Sequence, residues 1–422
     1  MPSRLALTRP GSTAIRIANQ SDATRINDFI WMSEGTTNTY LVTTAQGNVL
    51  VNTGLGIEAP IHKQCYDKVS DAPLRAIVLT QGHYDLVGGV ELFKQADTRV
   101  IGHRNMQACQ DDDQRLQGFR NRRNMRFFPD FVAPMLEAQT RAQSLGYTPP
   151  QARARPDVSF DERHHFELGG VRFELIWVPG GETTDSILVW LPDQKILFCG
   201  NTLGPLFPHM PNLHTIRGDR LRFALPYIAA CDTMLALEPE LLLTGHFDPV
   251  VGKDLIRDEL TRLRDAVRYV HDETVRGMNE GRDPFTLMKA IRLPEHLQVG
   301  EAYGTVAWAV RAIWHGYGGW FYFQSTTEIG DTPVREVYAE LAEAAGCDAL
   351  AERAAARLAA DEPLHAIHLA EIALAGAPTH RPALQVYLDA HERMLAQSHP
   401  GNRWEHFWLQ GEIDATRAKL AS

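Results

Sequence analysis

Cysteine is scarce in this sequence and poorly placed for cross-linking. Cys65, Cys109, Cys199, Cys231 and Cys347 are odd in number, far apart and free of any Cys-x-x-Cys spacing, which argues against a disulfide framework and a thiolate zinc site. Such usage fits a reducing cytoplasm. Long apolar runs are missing as well: no stretch reaches the ~18 residues needed to span a bilayer. Met1 to Asp22 also lack the uninterrupted apolar core of a signal peptide. The expectation is a soluble cytoplasmic chain with no membrane partner. Basic residues never run on long enough to follow a phosphate backbone, and 42 Lys and Arg against 52 Asp and Glu leave a formal charge of -10. Nucleic acid is therefore not an expected partner. A Gly-x-Ser-x-Gly elbow, a phosphate-binding Gly-x-x-x-x-Gly-Lys loop and a dinucleotide fingerprint after the first strand are all absent. Any chemistry is expected to be metal chemistry.

What is present is enough for a large folded protein. At 422 residues the chain exceeds what one core usually organises, so two or three domains are expected. A hydrophobic content of 44% with 22% charged residues excludes wholesale disorder. Histidine is the unusual component, at 17 residues, and directs attention to metal or proton chemistry. From Ile26 to about Leu197 the sequence runs in short apolar segments closed by turn residues: Thr39 to Val42, Val49 to Val51, Ala76 to Leu79, Val171 to Val178 and Ile187 to Leu191. Their shortness and β-branched content predict strands, with helical stretches between them such as Gly89 to Ala96, hence a mixed α/β layer structure. After Gly252 the texture changes. Ile256, Leu260, Leu263, Val267 and Val270 recur at helical spacing. The segment Glu336 to Ser422 breaks at Asp361-Glu362-Pro363, Gly376-Ala377-Pro378 and His399-Pro400-Gly401, which predicts an array of helical hairpins. One pair, around Ala366 to Ala375 and Pro382 to Leu395, has the small-residue spacing of a tetratricopeptide unit.

Four segments carry the chemistry. Leu79-Thr80-Gln81-Gly82-His83-Tyr84-Asp85-Leu86-Val87-Gly88-Gly89 is a strand ending in a polar loop that opens into a helix. The others are Pro179-Gly180-Gly181-Glu182, the run Leu197-Phe198-Cys199-Gly200-Asn201, and Thr244-Gly245-His246-Phe247-Asp248-Pro249. Together with Asn212-Leu213-His214-Thr215-Ile216-Arg217-Gly218, Tyr303-Gly304-Thr305-Val306, Gly318-Gly319-Trp320-Phe321 and Asn402 to Leu409, they resemble the metallo-β-lactamase superfamily in its alkylsulfatase branch. The resemblance covers most of residues 26 to 420. It implies an αββα sandwich over residues 1–252 and an all-helical, tetratricopeptide-like dimerisation domain over 253–422, in a homodimer. The sterol-carrier-like domain usual at the C-terminus of the family is expected to be missing.

The family binds two zinc ions through seven protein ligands. Four of them match here, His83, Asp85, Glu182 and His246. Gln81, Leu86 and Asn201 stand where the family has two histidines and a bridging carboxylate. Asn52 likewise replaces the aspartate of an Asp-Thr-Gly turn. If the family assignments hold, one ion keeps His83 and Glu182 with help from Gln81, and the other keeps Asp85 and His246. Two divalent ions would bring four positive charges against two carboxylates, so a single ion is favoured over a pair. The resemblance implies zinc, and two histidines with carboxylates also suit iron or manganese.

The expected function is that of a divergent metal-dependent hydrolase acting on a small anionic, sulfate-type ester through a metal-bound water. In it Gln81 and Asn201 steer the water, and Arg217 grips the anion through its planar guanidinium. Two other readings share the fold: a mononuclear non-haem iron enzyme of redox or lyase type, and a metal-free binding or scaffold protein. Each site residue also has a purely structural alternative. His83 and Asp85 would cap the helix near Gly88, Arg217 would pair with Asp219, Arg122 and Arg123, which by resemblance line the pocket entrance, would form a solvated helix face or an interface, and Trp314 to Phe323 would be core or subunit contact.

Overall fold

The computed structural model describes residues 4–147, 151–180, 182–204 and 206–422. Its centre is two facing sheets. The first contains β1 (Thr24–Arg25), β2 (Ile30–Ser33), β3 (Thr39–Thr44), β4 (Gly47–Val51), β5 (Leu74–Val78), β6 (Arg99–His103) and β7 (Val158–Phe160), in sequence order across the sheet. Its pairs are antiparallel up to β4 and parallel from β4 to β7. Parallel neighbours need crossovers, and the helix Ala59–Asp67, the short helices Tyr84–Val87 and Val90–Phe93, and those between Met106 and Ser144 supply them in turn. The second sheet runs β13 (Val250–Val251), β12 (Leu241–Thr244), β11 (Ile196–Gly200), β10 (Ile187–Leu191), β9 (Val171–Trp177) and β8 (Arg163–Leu168). All its pairs are antiparallel except β11 with β12, which the helix Ala224–Leu237 connects.

The period of two along each strand divides the core into layers. Tyr40, Val42, Val49, Val51 and Val78 face the second sheet and meet Leu175, Ile187, Val189, Phe198 and Leu243. Leu41, Leu50, Ile77 and Leu79 face the other way, onto Ala59, Tyr66, Val87 and Val90 of the covering helices. Strands buried on both faces, such as β4 and β10, read as unbroken apolar runs, and the five strands expected from the sequence are β3, β4, β5, β9 and β10 within a residue or two. The expected helix Gly89 to Ala96 is shorter and preceded by another: Tyr84–Val87 and Val90–Phe93. Gly89 stands at the break, where close packing excludes a side chain: a Cβ there would lie 2.5 Å from the Ala59 Cβ and 2.6 Å from the Thr53 carbonyl oxygen.

Beyond β13 no strand follows among the described residues. The helix Lys253–Asn279 buries Ile256, Leu260, Leu263, Val267 and Val270, the stripe expected from its spacing. By packing, one compact unit extends through Tyr317 and a second comprises Gly318–Ser422. The helices from Lys253 to Tyr317 therefore pack with the sandwich unit, beyond the textural boundary at residue 252. In the second unit the helices Cys347–Ala359, Pro363–Gly376, Arg381–Gln397 and Arg403–Ala421 pack as successive neighbours around Ala354, Ala366, Ala370, Val386 and Ala390. Of the aromatic run, Trp314 is buried, whereas Trp320 and Phe323 are exposed.

Candidate active site

Loops at the carboxyl ends of strands collect ligands in α/β sheets, and all seven candidate residues lie on such loops or on the segments facing them. After β4 the chain turns at Asn52, whose φ of 62° is a left-handed conformation that asparagine tolerates. Its Oδ1 accepts from the Thr80 backbone N–H at 2.9 Å and the Thr80 hydroxyl at 3.1 Å. The amide thus steadies the end of β5. Four residues on, Gly82 N–H donates to Asp185 Oδ2 at 2.6 Å, so the loop that carries Gln81, His83 and Asp85 is tied to the start of β10. Thr80 and Ile187 add a backbone bond of 2.9 Å between the two sheets at this end.

Gln81, His83 and Glu182 meet in one place. The Gln81 side-chain amide donates one hydrogen to His83 Nδ1 at 2.8 Å and the other to Glu182 Oε2 at 2.9 Å. An amide nitrogen can only donate, so Nδ1 is the accepting nitrogen and Nε2 carries the ring proton. Nε2 faces Asp219 Oδ2 at 3.7 Å. Glu182 Oε1 receives the Tyr303 hydroxyl at 3.2 Å and lies 3.3 Å from Arg222 Nη2, and the same Nη2 is 3.3 Å from Asp219 Oδ2. Arg222 Nη1 donates to the Tyr303 oxygen at 2.9 Å. Arg120 bridges Asp113 and Asp219, reaching the latter at 3.0 Å, and Arg217 lies 3.7 Å from Asp219. Glu182, Asp219 and Asp113 are thus met by Arg222, Arg120 and Arg217, three carboxylates against three guanidinium groups.

This network has electrostatic consequences. Burial alone would push the Asp219 carboxyl up, but His83, Arg222, Arg217 and Arg120 outweigh it and hold the acid far below the usual carboxylate range. Burial likewise disfavours the Arg222 charge, and Tyr303, Glu182 and Asp219 more than compensate, so its guanidinium is held above its ordinary range. Tyr303 is pushed up to about 12, by burial first. A cavity lined by His83, Asp113, Arg120, Glu182, Asp219 and Arg222 opens beside these groups.

Asp85 and His246 lie apart from that network. Asp85 Oδ2 accepts from the Thr37 hydroxyl and, at 3.5 Å, from Asn201 Nδ2. The helix Tyr84–Val87 has no side-chain cap, so its carboxylate is turned to the site and caps no helix. His246 follows β12 on a loop held by Asn38 N–H to the Gly245 carbonyl at 2.6 Å and by Arg9 to the His246 carbonyl at 3.3 Å. Burial pushes its imidazole down to about 4, against the pull of Asp85 and Glu182, which leaves the ring neutral at physiological pH. Neither His246 nitrogen has a hydrogen-bond partner among the described residues, and neither does Asn201 Oδ1, although both side chains are buried. Among the described residues no three His, Cys, Asp or Glu side chains stand together as a metal-ligand group.

Of the residues named from the sequence, Gln81, His83 and Glu182 come together and Arg217 lies 3.7 Å from Asp219; Arg120, Asp219 as a site carboxylate, Arg222, Tyr303 and Asp185 join them without having been named as candidates. Arg122 and Arg123 drew attention instead of their neighbour Arg120, and Arg123 itself donates to the Ile216 carbonyl at 2.7 Å. One local signal was available: Arg217, Asp219 and Arg222 alternate in charge within one short segment. Gly181 of the Glu182 turn lies outside the described residues.

Comparison with known proteins bears on the same segments. A family model described as Metallo-beta-lactamase superfamily matches residues 32–246, and one described as Alkyl sulfatase dimerisation matches residues 285–417. A linear primary-alkylsulfatase from a Pseudomonas strain is 30% identical over 299 residues, 67% of this chain and 56% of the relative. An alkyl/aryl-sulfatase, BDS1, from Saccharomyces cerevisiae is 24% identical over 362 residues, covering 81% and 55%. The chain spans little more than half the length of these relatives. The solved structure of the stereoselective inverting sec-alkylsulfatase Pisa1 from Pseudomonas sp. superposes with a TM-score of 0.79 at 20% identity, over 94% of this chain and 66% of that one.

Proposed function

This chain belongs to the metallo-beta-lactamase superfamily, in its alkylsulfatase-like branch, and on that premise we propose that it is a metal-dependent hydrolase of sulfate esters. The observation that carries this reading is the gathering of Arg120 and Arg222 beside His83, Glu182 and Asp219 at one cavity, with Arg217 3.7 Å from Asp219. Guanidinium groups recognise tetrahedral oxyanions through paired hydrogen bonds, and Arg217 is the one we assign to the sulfate. Gln81 orients His83 through Nδ1, which turns the Nε2 proton toward Asp219 beside the cavity that both residues line. The His83 and Glu182 side chains are mostly buried, so charges in the site are little screened by water.

A divalent ion, zinc by family likeness, would be drawn from the candidate set His83, Asp85, Glu182 and His246, with Asn201 and Gln81 beside it. When bound it supplies Lewis acidity to the ester and to water. The ring of His246 and the oxygen of Asn201, both without a partner among the described residues, fit such an ion, because buried polar atoms left unpaired are costly. The helical part after residue 252, matched by the dimerisation model from residue 285, is proposed to form a homodimer. The sedimentation mass would then be twice 47.2 kDa, and a mass of one chain at micromolar concentration would refute it.

The activity is tested by inorganic sulfate release from a series of alkyl sulfates, with and without prior chelation. Turnover that chelator abolishes and Zn²⁺ or Mn²⁺ restores is the expected result. Release unaffected by chelation, or none from any sulfate or phosphate ester, would sink it. Arg217→Ala should raise KM for the sulfate ester at least tenfold, given the ~1.5–3 kcal/mol of a charge-assisted hydrogen bond.

A further inference from the structure

The two halves of the site are built differently, and the difference bears on the number and place of the ions. In the half around Glu182 most of the donor atoms are already engaged. Glu182 Oε1 is engaged by Tyr303 and Arg222, and Oε2 by Gln81. His83 uses its Nδ1 lone pair for the Gln81 amide and turns its Nε2 proton to Asp219, whereas a histidine ligand must offer a free lone pair. The Arg222 side chain is 4% exposed, and its Nη2 sits 3.3 Å from a carboxylate oxygen of both Glu182 and Asp219. A fixed positive charge already stands between the acids, and a second ion would have to bind against it.

The half around Asp85 is the reverse. His246, 4% exposed, has both ring nitrogens without a partner among the described residues, and Asn201, 3% exposed, has its Oδ1 in the same condition. Asn201 Nδ2 makes only a 3.5 Å contact with Asp85 Oδ2. A half-turn of that amide exchanges its two ends and sets its oxygen beside the carboxylate, a pairing only a cation would favour. The loop of His246 is held beside Asp85 through neighbouring residues, Asn38 N–H donating to the Gly245 carbonyl at 2.6 Å and the Thr37 hydroxyl to Asp85 Oδ2. One imidazole nitrogen, one carboxylate and one amide oxygen make a mixed donor set suited to zinc, manganese or iron.

From this asymmetry, and resting on the metallo-hydrolase reading above, we infer that the chain holds one divalent ion, at Asp85, Asn201 and His246, and that Arg222 replaces a second ion between Glu182 and Asp219. One dication facing one carboxylate leaves a net positive charge at that half. An anionic ester complements it. The sulfate is then gripped from one side by the ion and from the other by the guanidinium groups.

The test uses the full chain, stripped with chelator and titrated with Zn²⁺ and with Mn²⁺ by calorimetry, with elemental analysis after desalting. The expected stoichiometry is one ion per chain. His83→Ala and Glu182→Gln keep that equivalent, whereas Asp85→Asn and His246→Ala lose it or bind at least tenfold more weakly. Circular dichroism qualifies each variant, and His246→Gln stands in for His246→Ala if the latter does not fold. Two equivalents in the wild type, or one that disappears in His83→Ala and persists in His246→Ala, would overturn the inference while leaving a metallo-hydrolase. No bound ion of either kind would overturn both.

Discussion

At the scale of single residues, the buried polar groups away from the cavity are the most informative about stability. His62 is fully buried on the helix Ala59–Asp67, with Nδ1 2.8 Å from the Ser33 hydroxyl, and burial pushes its imidazole down to about 3. Between that value and the ordinary one near 6.5 the unfolded chain binds a proton that the folded chain refuses. Stability is therefore present above pH ~6.5 and is lost as pH falls. Acidifying from pH 7 to pH 5 should cost the wild type about 2 kcal/mol through this group. Urea unfolding of wild type and His62→Asn at both values would show it as a smaller acid loss in the variant, and equal losses would contradict the assignment. At the same scale Asn52 shows how a substitution relative to the family can remain structural. Its amide oxygen does for Thr80 what a carboxylate would do, without the charge.

At the scale of elements, the loops that deliver the site depend on a few backbone positions. Gly180 has a φ of +88°, and a Cβ there would stand 2.3 Å from the Pro226 Cβ, at the start of the helix Ala224–Leu237. Gly180→Ala should destabilise the fold by about 2 kcal/mol or more, from left-handed strain and overpacking. It should also weaken activity by moving Glu182. A thermal melt and a rate within error of wild type would refute that. Elements of this kind were legible in the sequence to different degrees. Strands such as β4 and β10 announced themselves because both of their faces are buried. The helix Lys253–Asn279 did so because one face only is apolar. The Glu182 network was not legible, since Arg120 reaches Asp219 across 99 residues and Tyr303 reaches Glu182 across 121. No local pattern encodes contacts of that range; only the fold creates them.

At the scale of the molecule, a sandwich unit and a helical unit follow one another along the chain, and no helix among the described residues is long and apolar enough to cross a membrane. The formal charge of -10 would make attraction of the proposed anionic ester a local matter. The guanidinium groups at the cavity must overcome a repulsive background that salt would screen. The central claim is that one cation and one buried arginine divide a task that the family gives to two metal ions. Anomalous diffraction at the metal edge from crystals of the full chain tests it most directly. The account predicts a single peak against Asp85 and His246, with Arg222 still between Glu182 and Asp219; two peaks, or one lying between His83 and Glu182, would contradict it.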